Sequence, residues 1–438
     1  MDPANFSELR KWLTEAGLAG TSETALLDGF CRRAFEAGLP LARATVIIDT
    51  LHPVHEGRVA RWRSEGDEGR TELIEYGPSS EGEAAEIWRR SPFFHLLESG
   101  GSQRRIRLAA GEAAEFPGVA SLHDEGMTDY LALITRFAAH GVIGEMDGIY
   151  SSWATDRPQG FDDAHVEALA DLMPMLALAV KCVSLARIAG TLVETYLGRD
   201  AGQRVLNGMI RRGVAEKISA VLWYSDLREF TRITDRAAPE QIIPLLNDYA
   251  EAAISAIYDN GGDVLKLIGD GTLAIFTAPS AEEACRSAIT AHNSLQERVA
   301  RLNQRRTHDS LPTTYIYVGL HIGEVFYGNI GSHERLDFTV VGPAVNEVAR
   351  IAAMCRSVER NVLLSQAFAD ATARSERGRL VSVGRYALRG VERPQELFTL
   401  DPFLDCVSDS EATNRDRMSA DRPTSPMAAV EVNGPLGA

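Results

Sequence analysis

The sequence predicts an α/β protein, in the broad sense that includes α+β, built from two folded units and a helical connector. Three observations carry this. Strand-like runs and helical patterning alternate up to about residue 183; residues 184–217 are helical in pattern but broken by Gly198, Gly202, Gly208 and Gly213; and residues 218–402 hold a second set of buried-strand runs. The chain has 438 residues, which at roughly 100–200 per domain gives two or three domains. It is 45% hydrophobic and 24% charged, which excludes wholesale disorder and collagen-like order.

In the first unit, taken as 1–183, the runs ARATVIIDT, GRVARWRS, LALITRFA and GIYSSWAT read as strands. GFDDAHVEALADLMPMLALAVKCV then reads as a helix capped around Phe161-Asp162-Asp163. Its apolar positions Val166, Leu169, Leu172, Met173 and Leu176 recur at three- and four-residue spacing, one buried face. From 403 to 438 the chain is polar, punctuated by Pro and Gly, and without period, so a disordered tail is expected. No internal repeat is evident.

Acidic residues number 61 and basic residues 45, a formal charge of −16. So acidic a surface repels phosphate backbones, which argues against a nucleic-acid partner. It does not exclude a nucleotide enzyme, because a divalent metal can supply the positive charge. The five cysteines, Cys31, Cys182, Cys285, Cys355 and Cys406, are scattered and form no CxxC pair, as expected of free thiols in a reducing compartment. No secretory signal is evident, and no segment reaches ~18 consecutive apolar residues. The expectation is a cytoplasmic protein with no membrane span.

The second unit carries the chemistry. In ISAVLWYSDLREFT, Ile218–Tyr224 reads as a buried strand with Asp226 near its end. In GGDVLKLIGDGTLAIF, two β-rich runs flank Gly269-Asp270-Gly271, a tight hairpin signal that puts Asp270 at the tip. Alone, Asp226 reads equally as a helix N-cap and Asp270 as a turn residue. Together they resemble the paired carboxylates of a two-metal phosphoryl-transfer site, where the ions stand about 4 Å apart. After Gly342-Pro343 a helix begins, and Asn346 and Arg350, four apart, share one of its faces.

The order SDLREFT, KLIGDGTLAIF, VGLHIGEVFYGNIG and FTVVGPAVNEVAR over roughly 216–400 resembles the class III nucleotidyl cyclase catalytic domain. The resemblance implies a ferredoxin-like fold and a set of roles. Asp226 and Asp270 would bind two Mg²⁺ or Mn²⁺ ions, with the Leu227 carbonyl completing the shell. The amides of Leu227–Thr231, Phe230 included, would cradle the triphosphate. Lys266 and Thr339 would read the purine, Asn346 would orient the ribose, and Arg350 would stabilise the transition state. Arg389 is the candidate late triphosphate contact. Glu229 departs from the pattern, standing where glycine is usual.

Lys266 can only donate, which suits adenine N1 and mismatches guanine N1–H; guanylate cyclases of the family carry an acidic residue there and usually Cys at the Thr339 position. ATP is therefore the expected substrate and adenylate cyclase the expected activity. Thr339 marks the branch associated with bicarbonate responsiveness. Guanylate cyclase, or a degenerate module that only binds nucleotide or dimerises, stays open. The family divides each site between subunits, and one chain here carries both sets, which implies a homodimer. The end of the first unit resembles a GAF-type sensor domain, with PAS as the rival, and implies an unidentified small-molecule or protein regulator. His52, His55, His95 and His123 show no ligand spacing and read as solvated or hydrogen-bonded. Trp62, Trp153, Phe93 and Phe94 read as core.

Overall fold

The computed structural model describes residues 3–65, 68–137, 143–144, 146–391 and 393–401. They form two compact units that divide between Tyr196 and Leu197. The tail expected to be disordered, with Cys406, lies outside the described residues.

Unit 1 runs α1 (Pro3–Leu18), α2 (Glu23–Glu36), β1 (Arg43–Asp49), β2 (Gly57–Glu65), β3 (Glu68–Tyr76), α3 (Gly82–Arg89), α4 (Pro92–Glu98), β4 (Gln103–Arg107), α5 (Pro117–Asp124), β5 (Asp129–Arg136), β6 (Gly148–Thr155) and α6 (Asp163–Leu197). Its sheet is antiparallel throughout, in the order β3-β2-β1-β6-β5-β4. Leu9, Leu26, Phe30, Leu169, Leu172 and Leu176 of α1, α2 and α6 pack with Val46, Ile48 and Trp153 on one face. Phe93, Leu96, Phe116 and Val119 of the α4–α5 region pack with Tyr130 and Tyr150 on the other. Being covered on both faces makes β6 buried at every position, which is why GIYSSWAT shows no polar alternation. The expected core residues Trp62, Trp153 and Phe93 are buried, and Trp153 meets Phe30 edge to face at 5.2 Å.

Asp162 caps α6 by accepting from the His165 amide at 2.8 Å. The helix does not stop at 183, where the sequence pattern ended the first unit; it continues unbroken to Leu197, with Gly190 inside it. Apolar packing at Val180 and Ile188 carries it past that point. Among the described helices α6 alone is long and apolar enough to cross a membrane, and 33% of its most apolar window is buried. Buried Glu23 of α2 gathers Arg58 of β2 at 3.2 Å and, from α6, Ser184 Oγ at 2.9 Å and Arg187 at 3.2 Å.

Unit 2 runs α7 (Arg199–Leu206), β7 (Ala215–Leu227), α8 (Phe230–Thr234), α9 (Pro239–Asp259), β8 (Gly262–Ile268), β9 (Gly271–Phe276), α10 (Ala281–His308), β10 (Ile316–Gly331), β11 (Leu336–Val341), α11 (Pro343–Val358), β12 (Val362–Ser365), α12 (Gln366–Ala371), α13 (Arg374–Arg377), β13 (Leu380–Tyr386) and β14 (Gln395–Leu400). Of the four connector glycines, Gly202 lies inside α7, and Gly198 and Gly208 bracket it at positive φ. The strand order is β13-β14-β12-β10-β7-β9-β8, with β11 folding back on β10; only β10 and β12 run parallel. This is the expected α+β class. Val221 and Trp223 of β7 face α9 and α10, while Ala220 and Leu222 face the side of β11 and α11. Helix α11 lies almost on the backbone of β10, because a Cβ at Gly319 would stand 2.7 Å from the Val348 carbonyl oxygen.

Candidate active site

Along β7, Leu222, Tyr224 and Asp226 alternate onto the face that carries β11 and α11. Asp226 sits opposite Tyr317 near the end of the strand. The β8–β9 hairpin closes through Gly269 and Asp270, with Ile268 opposite Gly271. Gly269 has φ +63°, as a two-residue turn with glycine at its first central position requires. A Cβ at Gly271 would stand 2.8 Å from the Ser225 carbonyl oxygen, so only glycine lets the hairpin press this closely on β7. The close approach brings the Asp270 carboxyl near enough to perturb that of Asp226. Burial, then the neighbouring Asp270 carboxyl, push the Asp226 carboxyl up to about 7, against the opposing donation from the Leu227 amide. No cation contributes to this balance. Two hard oxygen donors crowded together without a positive charge suit a divalent ion. Among the described residues no three His, Cys, Asp or Glu side chains converge, so backbone oxygen would have to complete a metal shell here.

The turn after Leu227 is tied down twice. The Arg228 amide donates to the Tyr315 carbonyl at 2.8 Å, and Thr314 Oγ1 donates to the Arg228 carbonyl at 2.6 Å. Glu229 then adopts φ +55°, the left-handed region that favours glycine. Its carboxylate turns to Arg232 at 2.9 Å. Phe230 and Thr231 open the single turn of α8.

Lys266 and Thr339 lie on a different surface. Lys266 of β8 forms an ion pair with Asp337 of β11, both side chains partly exposed. In the β10–β11 hairpin the opposed pairs are Phe326 with Val341, Gly328 with Thr339, and Ile330 with Asp337, so all six residues share one face. Phe326 is 54% exposed, Val341 47% and Ile330 41%. Asn346 is exposed on α11, and Arg350, one turn on, is half-buried. Arg350's guanidinium lies 3.2 Å from where a Cβ at Gly390 would stand, so the turn that carries exposed Arg389 abuts Arg350.

The structure thus joins Asp226 with Asp270, Lys266 with the face of Thr339, and Arg350 with the Arg389 turn. It does not bring the carboxylate pair to Thr339. Asp226 faces Tyr317 and Thr339 faces Gly328 on the same strand, eleven positions or about 36 Å of strand contour apart. Sequence reasoning missed two residues. Tyr224, whose phenol is raised by burial and then by the charges of Asp226 and Asp270, was detectable as the position two before Asp226 on a strand. Asp337 was not, because its partner is 71 residues distant.

Residues 214–402 match the family described as the adenylate and guanylate cyclase catalytic domain. This stretch of the chain is therefore similar to the adenylate and guanylate cyclase catalytic domain. Adenylate cyclase 1 of Rhizobium meliloti (strain 1021) is 29% identical over 149 residues, covering 33% of this chain and 22% of that protein. The adenylate cyclase of Anabaena cylindrica is 29% identical over 157 residues, covering 36% and 31%. An uncharacterized protein of Mycobacterium tuberculosis is 29% identical over 211 residues, covering 47% and 37%. The chain thus spans well under half the length of these relatives. Among solved structures, the adenylyl cyclase CyaB from P. aeruginosa is 22% identical with a TM-score of 0.39, covering 43% of this chain and 95% of that one. The guanylyl cyclase Cya2 is 27% identical with a TM-score of 0.38, covering 42% and 93%.

Proposed function

We propose that unit 2 converts ATP to 3′,5′-cyclic AMP and pyrophosphate at sites shared by two copies of the chain, and that unit 1 is a GAF-type sensor regulating it. The observation that carries the reading is the closeness of Asp270 to Asp226. Bound by these carboxylates and the Leu227 carbonyl, Mg²⁺ or Mn²⁺ would lower the pKa of the ribose 3′-hydroxyl and offset the phosphate charge.

The chain's own residues do the rest. Amides of the 227–231 turn hold the triphosphate. Because Glu229 is paired with Arg232, its carboxylate is neutralised beside that turn. Asp337 keeps the Lys266 ammonium in place, from where it donates to adenine N1, and Thr339 accepts from N6. Asn346 fixes the ribose so that attack on the α-phosphorus is intramolecular and aligned. Arg350 stabilises the charge that grows on the α-phosphate oxygens, and Arg389 contacts the departing phosphates.

A shared site is supported by the separation of the two sets along β10 and by the exposed apolar face around Thr339, which a second copy would cover. The sensor reading of unit 1 is supported by its antiparallel sheet between two helical layers and by the passage from β6 into a helix docked on that sheet.

The test is the purified full chain with ATP and, separately, GTP, each with Mg²⁺ or Mn²⁺, and products identified by chromatography. Cyclic AMP as the main product is expected. A predominance of cyclic GMP overturns the substrate assignment, and absence of either cyclic product overturns the activity.

A further inference from the structure

Unit 1 encloses a cavity of about 1060 Å³ between one face of its sheet and helices α3, α4 and α5. It is large enough for a ligand of drug size. Polarity runs along its floor. On β1 the residues Arg43, Thr45, Ile47 and Asp49 alternate into the cavity, so a guanidinium and a carboxylate stand six residues or about 20 Å apart. The guanidinium end is already matched, because Arg43 is paired with Glu125 from the opposite wall.

The middle is aromatic. Trp88 and Phe93 each meet Tyr150 edge to face, at 5.6 and 5.7 Å, and Tyr150 lies opposite Ile47 in register. At the far end three carboxylates each accept from a neutral donor. Tyr76 Oη donates to Asp49 at 2.7 Å, Tyr150 Oη donates to Asp147 at 3.1 Å, and Ser79 donates to Glu56 through its amide and hydroxyl. Tyr76 reaches Asp49 only because its ring lies over Gly57; a Cβ there would stand 2.4 Å from Tyr76 Cζ. Burial, then the charge of Asp49, hold the Tyr76 phenol firmly protonated. Over the whole lining, six carboxylates face three guanidiniums.

We propose that this cavity binds an organic cation, an amine or ammonium carried on a flat or alkyl body. The charged head sits among Asp49, Glu56 and Asp147, and the body lies between Ile47, Trp88 and Phe93. Carboxylates supply the countercharge, and the faces of Tyr76 and Tyr150 supply cation–π attraction. An anion entering the same space meets a net negative lining.

Isothermal titration calorimetry on the full chain tests this with three compounds that share an indole ring: tryptamine (cation), tryptophol (neutral) and indole-3-propionate (anion). Tryptamine is expected to bind at least tenfold more tightly than tryptophol, with indole-3-propionate weakest. Asp49→Asn is expected to weaken tryptamine at least tenfold and tryptophol less than twofold, with an unchanged circular dichroism spectrum. Should that variant misfold, exposed Asp147→Asn is read in its place. No heat with millimolar tryptamine, equal or tighter binding of either other compound, or an unchanged tryptamine affinity in the folded variant overturns the proposal. Heat of binding needs no nucleotide turnover, so this result and the cyclase assay fail independently.

Discussion

At the end of β7, Asp226 and Asp270 lie near each other, half-buried, held by a strand end, a two-residue turn and the close approach of Gly271 to Ser225. On the β10–β11 hairpin, by contrast, Lys266, Asp337 and Thr339 lie beside the exposed side chains of Phe326, Ile330 and Val341. The first half is positioned by backbone and is complete as a pair of acids within one chain. The second is a surface in want of cover. Backbone geometry fixes the acid pair within one chain, whereas a face lined by exposed apolar groups becomes dry only when something covers it.

Removing either half is the harshest way to probe this division. Asp226→Ala and Arg350→Ala are each expected to lower kcat by at least about 10³-fold. Mixed in equal amounts, they are expected to recover up to about a quarter of wild-type activity, since half the dimers then hold one intact site of two. No recovery in a verified mixed dimer means that each chain completes its own site. Next in size is the face of Lys266 and Thr339. Lys266→Glu with Thr339→Cys is expected to cut kcat/KM for ATP by roughly 10²-fold and raise the GTP to ATP ratio; a uniform loss for both nucleotides would show that these residues do not read the base.

Phe326→Asp tests the cover itself. It is expected to weaken self-association by about tenfold or more in analytical ultracentrifugation, with the circular dichroism spectrum intact. An unchanged dimer would put the interface elsewhere. The smallest effect belongs to the carboxylate half. Glu229→Gly relieves a left-handed backbone and is expected to stabilise unit 2 by up to about 1 kcal/mol, read as a higher urea midpoint. A lower midpoint would mean that the pair with Arg232 outweighs the strain.

How far the sequence foretold this follows from what periodicity can express. The strand ending at Asp226 and the turn at Asp270 were legible because glycine and alternation encode them locally. Asn346 and Arg350 were legible as one helix face. The ion pair of Lys266 with Asp337 was not, because it depends on β11 folding back toward β8. Helix α1 escaped notice because the strand pattern begins after it, although Leu9 and Leu13 are buried. The boundary drawn at 183 falls inside α6, where packing of Val180 and Ile188 on unit 1 carries the helix on to Leu197. In the cavity of unit 1, the floor residues of β1 alternate in the sequence, but nothing local announces that Asp147 or Trp88 joins them.

The shared grip of Glu23 ties α2 to both β2 and α6. One buried carboxylate serves Arg58, Ser184 and Arg187 together. A slip of α6 would break the Ser184 and Arg187 contacts and leave the Arg58 pair in place. The acid thus stays paired with β2 whether or not α6 keeps its two contacts.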